Sequence, residues 1–352
     1  MPEPPRRSAL VAELYHDDDA DLSLVQDRHV AVLGYGSQGS AHALSLRDSG
    51  VDVRVGLPEG SRSRPAAEAE GLRVLSPYDA CEEADLVVVL APNHVQRSLY
   101  REALAPNLVD DDALLFADGF NIRFGFVEPP PGVDVCMVSP KGPGHLVRRE
   151  FCDGRGVPVL VAVEQDASGS AWPLTLSYAK AIGGLRAGGL ETTFAEETET
   201  DLFGAQAVLF GGVSQLLVAG FETLTEAGYQ PEVAYFECLH ELKLVVDLMC
   251  ETGIASSRCS VSDTAHYGGA VSGPRVLDAS VKARMREVLE DIRSGAFAAR
   301  LVADQDAGAP ELATSPAEAE QHPIEATGRE LRQLMRWVRS QDADDIDDTS
   351  VW

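Results

Sequence analysis

The feature that most constrains this chain is a short apolar run that gives way to three spaced glycines and resumes as a helix. Val30-Ala31-Val32-Leu33 reads as a buried strand, Gly34-Tyr35-Gly36-Ser37-Gln38-Gly39 follows directly, and Ser37 to Asp48 reads as a helix. Glycine permits a tight turn and lets a diphosphate approach the backbone, where free N–H groups at a helix N-terminus meet its charge. Three glycines alone also fit a plain turn. The strand before and the helix after them mark Gly34, Tyr35, Gly36, Ser37, Gln38 and Gly39 as a dinucleotide-binding turn opening a βαβ unit.

The alternation continues. Strands are expected at 51–55, 86–90, 113–117, 133–138 and 157–163, with helices at 77–83 and 94–105 between them. Strands alternating with helices imply a doubly wound, mostly parallel sheet, an α/β Rossmann domain. After Ala167 the strand signals stop. A helix is expected at 168–182, then long ones at 194–227, 231–251 and 274–293, the last with Pro274 at its start and Gly295 after its end. A chain of 352 residues exceeds one ordinary core. We therefore expect a Rossmann domain over 1–188, an all-helical domain over 189–338 and an acidic tail over 339–352.

Composition narrows the partners. A formal net charge of -27 repels phosphate backbones and anionic lipid, which argues against nucleic acid and membrane surfaces as partners. Cysteines at 81, 136, 152, 238, 250 and 259 form no C-x-x-C, and read as reduced thiols of a cytoplasmic protein. The N-terminus lacks an apolar leader segment, and no stretch approaches 18 uninterrupted apolar residues.

Two further regions carry chemistry. The second strand ends Val55-Gly56-Leu57 without the carboxylate that holds a ribose 2′-hydroxyl. Ser61-Arg62-Ser63-Arg64 follows, and its hydroxyls and guanidiniums suit a 2′-phosphate, hence NADPH, with Ser61, Arg62 and Ser63 as contacts. In the helical half, Glu197 and Asp201, and Glu237 and Glu241, stand four apart on helix faces, so two carboxylate pairs could converge on a hard cation such as Mg²⁺. Acids at this spacing are more often solvated surface. Glu237 and Glu241, however, lie among Phe236, Leu239, Leu242 and Leu244, which predicts burial and a need for a partner. Lys141 sits in a loop dense in Pro and Gly, Ser139-Pro-Lys-Gly-Pro-Gly-His145, at a strand end, and is either a substrate or acid/base residue or part of a structural loop.

Taken together, these runs resemble the ketol-acid reductoisomerase family, short-chain class. The resemblance rests on Gly34-Tyr-Gly-Ser-Gln-Gly39, Gly119-Phe-Asn-Ile122, Pro140-Lys-Gly-Pro-Gly-His145, Glu196-Glu-Thr-Glu-Thr-Asp-Leu-Phe-Gly204, Tyr235-Phe-Glu-Cys-Leu-His-Glu-Leu-Lys243 and Ser262-Asp-Thr-Ala265. It covers about residues 14 to 338. It implies NADPH and Mg²⁺, a small-molecule substrate, and an all-α knotted C-terminal domain. It also implies a homodimer or assembly of dimers with shared active sites. The family reaction is an alkyl migration in a 2-acetohydroxy acid followed by hydride transfer. The resemblance makes Asp201 and Glu241 catalytic as well as metal ligands, Glu237 a metal ligand, Lys141 the active-site lysine and Ser262 the binder of the substrate carboxylate.

Two positions depart. Ala205 stands where the family has a glutamate, and Asp118, in Phe116-Ala-Asp-Gly-Phe120, stands where it has a histidine, which makes Asp118 the candidate catalytic group there. Arg123 and His266 also stand where His and Glu are expected. Migration needs two cations holding adjacent oxygens, whereas reduction needs one Lewis acid and a proton donor. The first expectation is therefore a reductase of a small 2-keto acid, ketone or imine that binds one ion rather than two, with isomerisation weakened or lost. The alternative is an ordinary reductoisomerase converting 2-acetolactate to 2,3-dihydroxyisovalerate, with Asp118 or Glu197 replacing the missing ligand. A second alternative is a non-catalytic dinucleotide-binding paralogue.

Overall fold

The computed structural model describes residues 13–257, 261–311 and 319–334. The tail expected at 339–352 and Cys259 lie outside them. The chain forms two compact units that divide after Thr198 rather than after Gly188. Phe194 meets Phe116 edge-on at 6.4 Å, and Glu197 is buried, so the first turn of the helix Phe194–Phe203 belongs to the sheet.

The first unit is built on nine strands: β1 (Leu14–Tyr15), β2 (His29–Leu33), β3 (Asp52–Gly56), β4 (Arg73–Leu75), β5 (Leu86–Val89), β6 (Ala113–Phe116), β7 (Asp134–Pro140), β8 (Val159–Gln165) and β9 (Gly189–Glu191). They lie in the order β1-β9-β8-β7-β6-β5-β2-β3-β4. The six from β4 to β7 are mutually parallel, β8 is antiparallel to β7, and β1 closes the far edge antiparallel to β9. Side chains of a strand alternate between faces. Val30, Val32, Leu86, Val88 and Leu115 accordingly join one core cluster, while Ala31, Leu33, Val87, Val89 and Leu114 join the other. Both faces are covered, which is why these strands read as unbroken apolar runs.

Three expectations change. Strand formation does not stop at Ala167: β9 pairs with β8 in register Val159 with Gly189. Strands β1 and β4, of two and three residues, were not expected and form because a partner strand offers them hydrogen bonds. The helix expected from Pro274 is two helices, Asp263–Val276 with Pro274 in its last turn and Ala279–Arg293. Asp278 divides them, its carboxylate accepting the Ser280 N–H at 2.8 Å.

The second unit is helical throughout its described residues. One continuous helix runs through Phe194–Phe203, a π-helical stretch Gly204–Val213 and Ser214–Glu226. Its 33 residues are long and apolar enough to cross a bilayer by length and composition, although Gln206, Ser214 and Gln215 interrupt the apolar run, so no 18 apolar residues follow one another. A small core joins Phe221, Ala234, Tyr235, Ile324 and Leu331. Much apolar surface stays outside it: Phe210 is 78% exposed, and Leu209, Leu244, Ile254 and Tyr267 are exposed as well.

One buried pair ties the helix after the glycine loop to another helix of the same core cluster. His42, on the helix Ser37–Asp48, is fully buried and its Nδ1 lies 2.8 Å from the Tyr178 hydroxyl on the helix Ala171–Ala181. Burial pushes its pKa down to about 4. Between pH 4 and the ordinary histidine value near 6.5 the unfolded chain takes up a proton that the native chain refuses, so stability falls as pH drops through that window. The expected loss is roughly 3 kcal/mol. Urea unfolding at pH 7 and pH 4.5 checks this: His42→Gln flattens the dependence, and an equal acid loss in both proteins contradicts it.

Candidate active site

The strand order reverses between β2 and β5, since the chain moves outward from β2 to β3 and β4 before returning to β5 on the other side. Ligands of doubly wound sheets bind outside the carboxyl ends of the strands at such a point. Gly34 leaves β2 there with φ +108°, and a Cβ on it would lie 2.7 Å from the carbonyl oxygen of Leu90 at the end of β5. A Cβ on Gly39 would strike the Gly34 carbonyl, so helix and strand pack at backbone distance. The Tyr35 hydroxyl and Gln38 Oε1 are buried and find no hydrogen-bond partner among the described residues. A cradle that any Cβ would fill, with unsatisfied polar atoms beside it, fits a dinucleotide diphosphate.

From this loop a closed circuit of contacts runs around the crevice. The β5 end leads to Asn93, whose Nδ2 donates to Asp118 Oδ1 at 3.2 Å. The next residue's amide, Gly119 N–H, donates to Glu197 Oε2 at 3.3 Å. Lys141 Nζ and Ser139 Oγ both donate to Glu197 Oε1 at 2.8 Å. Gln38 Nε2 donates to the Gly142 carbonyl at 2.9 Å, and Gly144 lies so close to the Ser37 carbonyl that no Cβ fits. The circuit thus returns to the glycine loop, and Lys141 and Asp118 share one rim with the dinucleotide cradle. Glu197 is only 1% exposed, and a carboxylate so placed requires the ammonium and N–H groups around it. Oε1 takes two of these bonds and Oε2 one. Asn93 and Gln96 were not singled out in the sequence, and Ser139 and Asn121 were quoted only within longer runs, with no role; they matter through partners 25 or more residues away.

The loop after β3 divides its expected contacts. Arg62 is exposed and Ser63 half-buried, but Ser61 is buried and its hydroxyl accepts the Ser63 N–H at 3.3 Å, shaping the turn. Arg64 folds back to donate to the carbonyls of Leu57 and Leu75 at 3.2 and 3.3 Å, so the second guanidinium of the motif ties strand ends together.

The helical residues are placed differently from expectation. Asp201, Glu237 and Glu241 are all exposed, as are Leu244, Val245 and Val246, so the burial inferred for Glu237 and Glu241 from their apolar neighbours does not occur within one chain. Oxygen donors of this kind suit Mg²⁺. Among the described residues, however, no three His, Cys, Asp or Glu side chains gather into a metal site. Glu237 lies in the π-helical turn Phe236–His240, one turn before Glu241. Ser262 is exposed and caps the helix Asp263–Val276, its hydroxyl accepting the Ala265 N–H at 3.2 Å.

Two family models match: acetohydroxy acid isomeroreductase, NADPH-binding domain, over residues 24–188, and ketol-acid reductoisomerase, C-terminal domain, over residues 194–337. The chain belongs to the ketol-acid reductoisomerase family. A ketol-acid reductoisomerase (NADP(+)) of Kineococcus radiotolerans is 68% identical over 341 residues, covering 97% of this chain and 100% of the relative. One of Renibacterium salmoninarum is 68% identical, covering 94% and 97%. The fold is similar to that of an NADH-preferring ketol-acid reductoisomerase from an uncultured archean, with TM-score 0.88, 43% identity, and coverage of 92% of this chain and 99% of that one. Family membership corrects one expectation. A reductase with a weakened isomerase step is not supported, because the chain matches reductoisomerases along nearly its whole length, and the ordinary enzyme is the better reading.

The cradle is testable by one methyl group. Gly34→Ala should raise the KM for the dinucleotide about tenfold or more, since it adds a clash and strain at positive φ. Gly273→Ala, where a Cβ meets open space, should leave it unchanged. Equal dinucleotide affinity in wild type and Gly34→Ala, by fluorescence titration, contradicts the placement.

Proposed function

We propose that this chain is a working ketol-acid reductoisomerase that converts 2-acetolactate to 2,3-dihydroxyisovalerate with NADPH and Mg²⁺. The observation that carries the reading is the Lys141–Glu197 pair seated on the rim of the glycine cradle, in a chain 68% identical to reductoisomerases. When bound, the nicotinamide supplies the hydride and Mg²⁺ the charge that polarises adjacent substrate oxygens. The chain's own residues do the rest. Glu197 holds Lys141 in place through their 2.8 Å hydrogen bond, and Lys141 Nζ gives a proton to the oxygen of the carbonyl whose carbon receives hydride. Arg62 and Ser63, on a turn shaped by Ser61, meet the 2′-phosphate of NADPH. Ser262 meets the substrate carboxylate.

Asp201, Glu237 and Glu241 hold the cation, and a second copy of the chain brings them into one site. Supporting this are the large apolar side chains of Phe210, Leu244 and Tyr267, which are 78%, 60% and 74% exposed in one chain. We read the protein as a cytoplasmic homodimer or assembly of dimers.

Purified protein with NADPH, Mg²⁺ and 2-acetolactate tests the activity. Turnover of both 2-acetolactate and 3-hydroxy-3-methyl-2-ketobutyrate is expected. Turnover of the second compound alone overturns the reading. Sedimentation should give at least twice the chain mass of 37.7 kDa, and a monomer at working concentration contradicts the shared site.

A further inference from the structure

Three buried or half-buried amides stand behind Asp118, and backbone carbonyls determine how two of them, Gln96 and Asn121, are turned. Gln96, 4% exposed, donates from Nε2 to the Ala91 carbonyl at 2.8 Å, and a carbonyl only accepts, so its Oε1 end must face Asn121. Asn121, equally buried, donates from Nδ2 to the Asn93 carbonyl at 3.1 Å and to that Gln96 Oε1 at 2.9 Å. Gln96 Nε2 also donates to Asn93 Oδ1 at 3.0 Å. Asn93 is therefore left with its Nδ2 toward Asp118, where it donates to Oδ1 at 3.2 Å. The Phe120 N–H donates to the same oxygen at 3.1 Å.

We propose that Asn93 is a positioning residue for the reaction. Set by Gln96 and Asn121, it holds the Asp118 carboxylate in one orientation on the rim shared with Lys141 and the dinucleotide cradle. The directed amide chain makes asparagine the residue that suits position 93 while position 118 is aspartate. An aspartate at 93 would still take the Gln96 donor on one oxygen, and would turn its other oxygen onto the Asp118 carboxylate. The inference rests on the proposed activity for its kinetic readout, though not for its structural one.

Three variants test it: Asn93→Ala, Asn93→Asp, and the exchange Asn93→Asp with Asp118→Asn. Losing a hydrogen bond to a charged group should lower kcat roughly 10- to 100-fold in Asn93→Ala, with the KM for NADPH within about twofold of wild type. Asn93→Asp should fall further. The exchange restores an amide–carboxylate bond in reverse, so it should recover the Tm lost in Asn93→Asp but not kcat, because the anion has moved from 118 to 93. Recovery of kcat by the exchange overturns the proposal and leaves the pair a structural contact. A crystal structure of Asn93→Ala supplies the second readout, in which the Asp118 side chain is expected to leave its present rotamer while the 90–120 backbone stays. An unmoved Asp118 overturns the proposal even if the wild type turns over neither substrate, an outcome that by itself defeats only the assigned activity.

Discussion

A single buried carboxylate organises the reactive edge of this protein. Glu197 lies at 1% exposure on the first turn of a helix, and takes hydrogen bonds from Lys141, Ser139 and the Gly119 amide. Leaving such a group unpaired costs several kcal/mol, so its partners are held wherever it is. The ends of β6 and β7 are thereby pinned to one helix turn, and Lys141 is pinned beside the glycine loop. Phe194 anchors the same turn from below, against Phe116. Packing, charge and site geometry meet in four residues of one helix.

The two halves of the chain face different physical problems. The sheet buries its strands on both faces and satisfies its own backbone, so its site is assembled within one unit. The helical half has a small core, exposed apolar side chains, and three exposed carboxylates that do not converge within a single chain. In the homodimer we propose, a second copy covers the apolar faces and completes the ligand set.

What could be read from the sequence follows from how local each cause is. The strand, glycine loop and helix at 30–48 were legible because period and glycine spacing act over a few residues. Strands β1, β4 and β9 were not, because two or three residues become a strand only when a partner strand offers its edge. Pro274 drew the helix start to itself, whereas Asp278 provides the cap that decides it. Apolar neighbours predicted burial of Glu237 and Glu241, but such a pattern says only that a surface seeks cover, not that the same chain supplies it. Lys141 was legible as a candidate and its partner was not, since Glu197 lies 56 residues away. Arg64 looked like a phosphate ligand and is a backbone staple, a difference of side-chain direction that sequence does not encode locally.

The most direct test of this account is Glu197→Gln, which keeps the shape of the side chain and removes its charge. Single-turnover oxidation of NADPH with 3-hydroxy-3-methyl-2-ketobutyrate should slow by about a hundredfold or more, as expected when a proton donor loses the group that orients it, while NADPH binding stays as in wild type. Hydride transfer at the wild-type rate in Glu197→Gln would contradict the claim that the buried carboxylate organises the site.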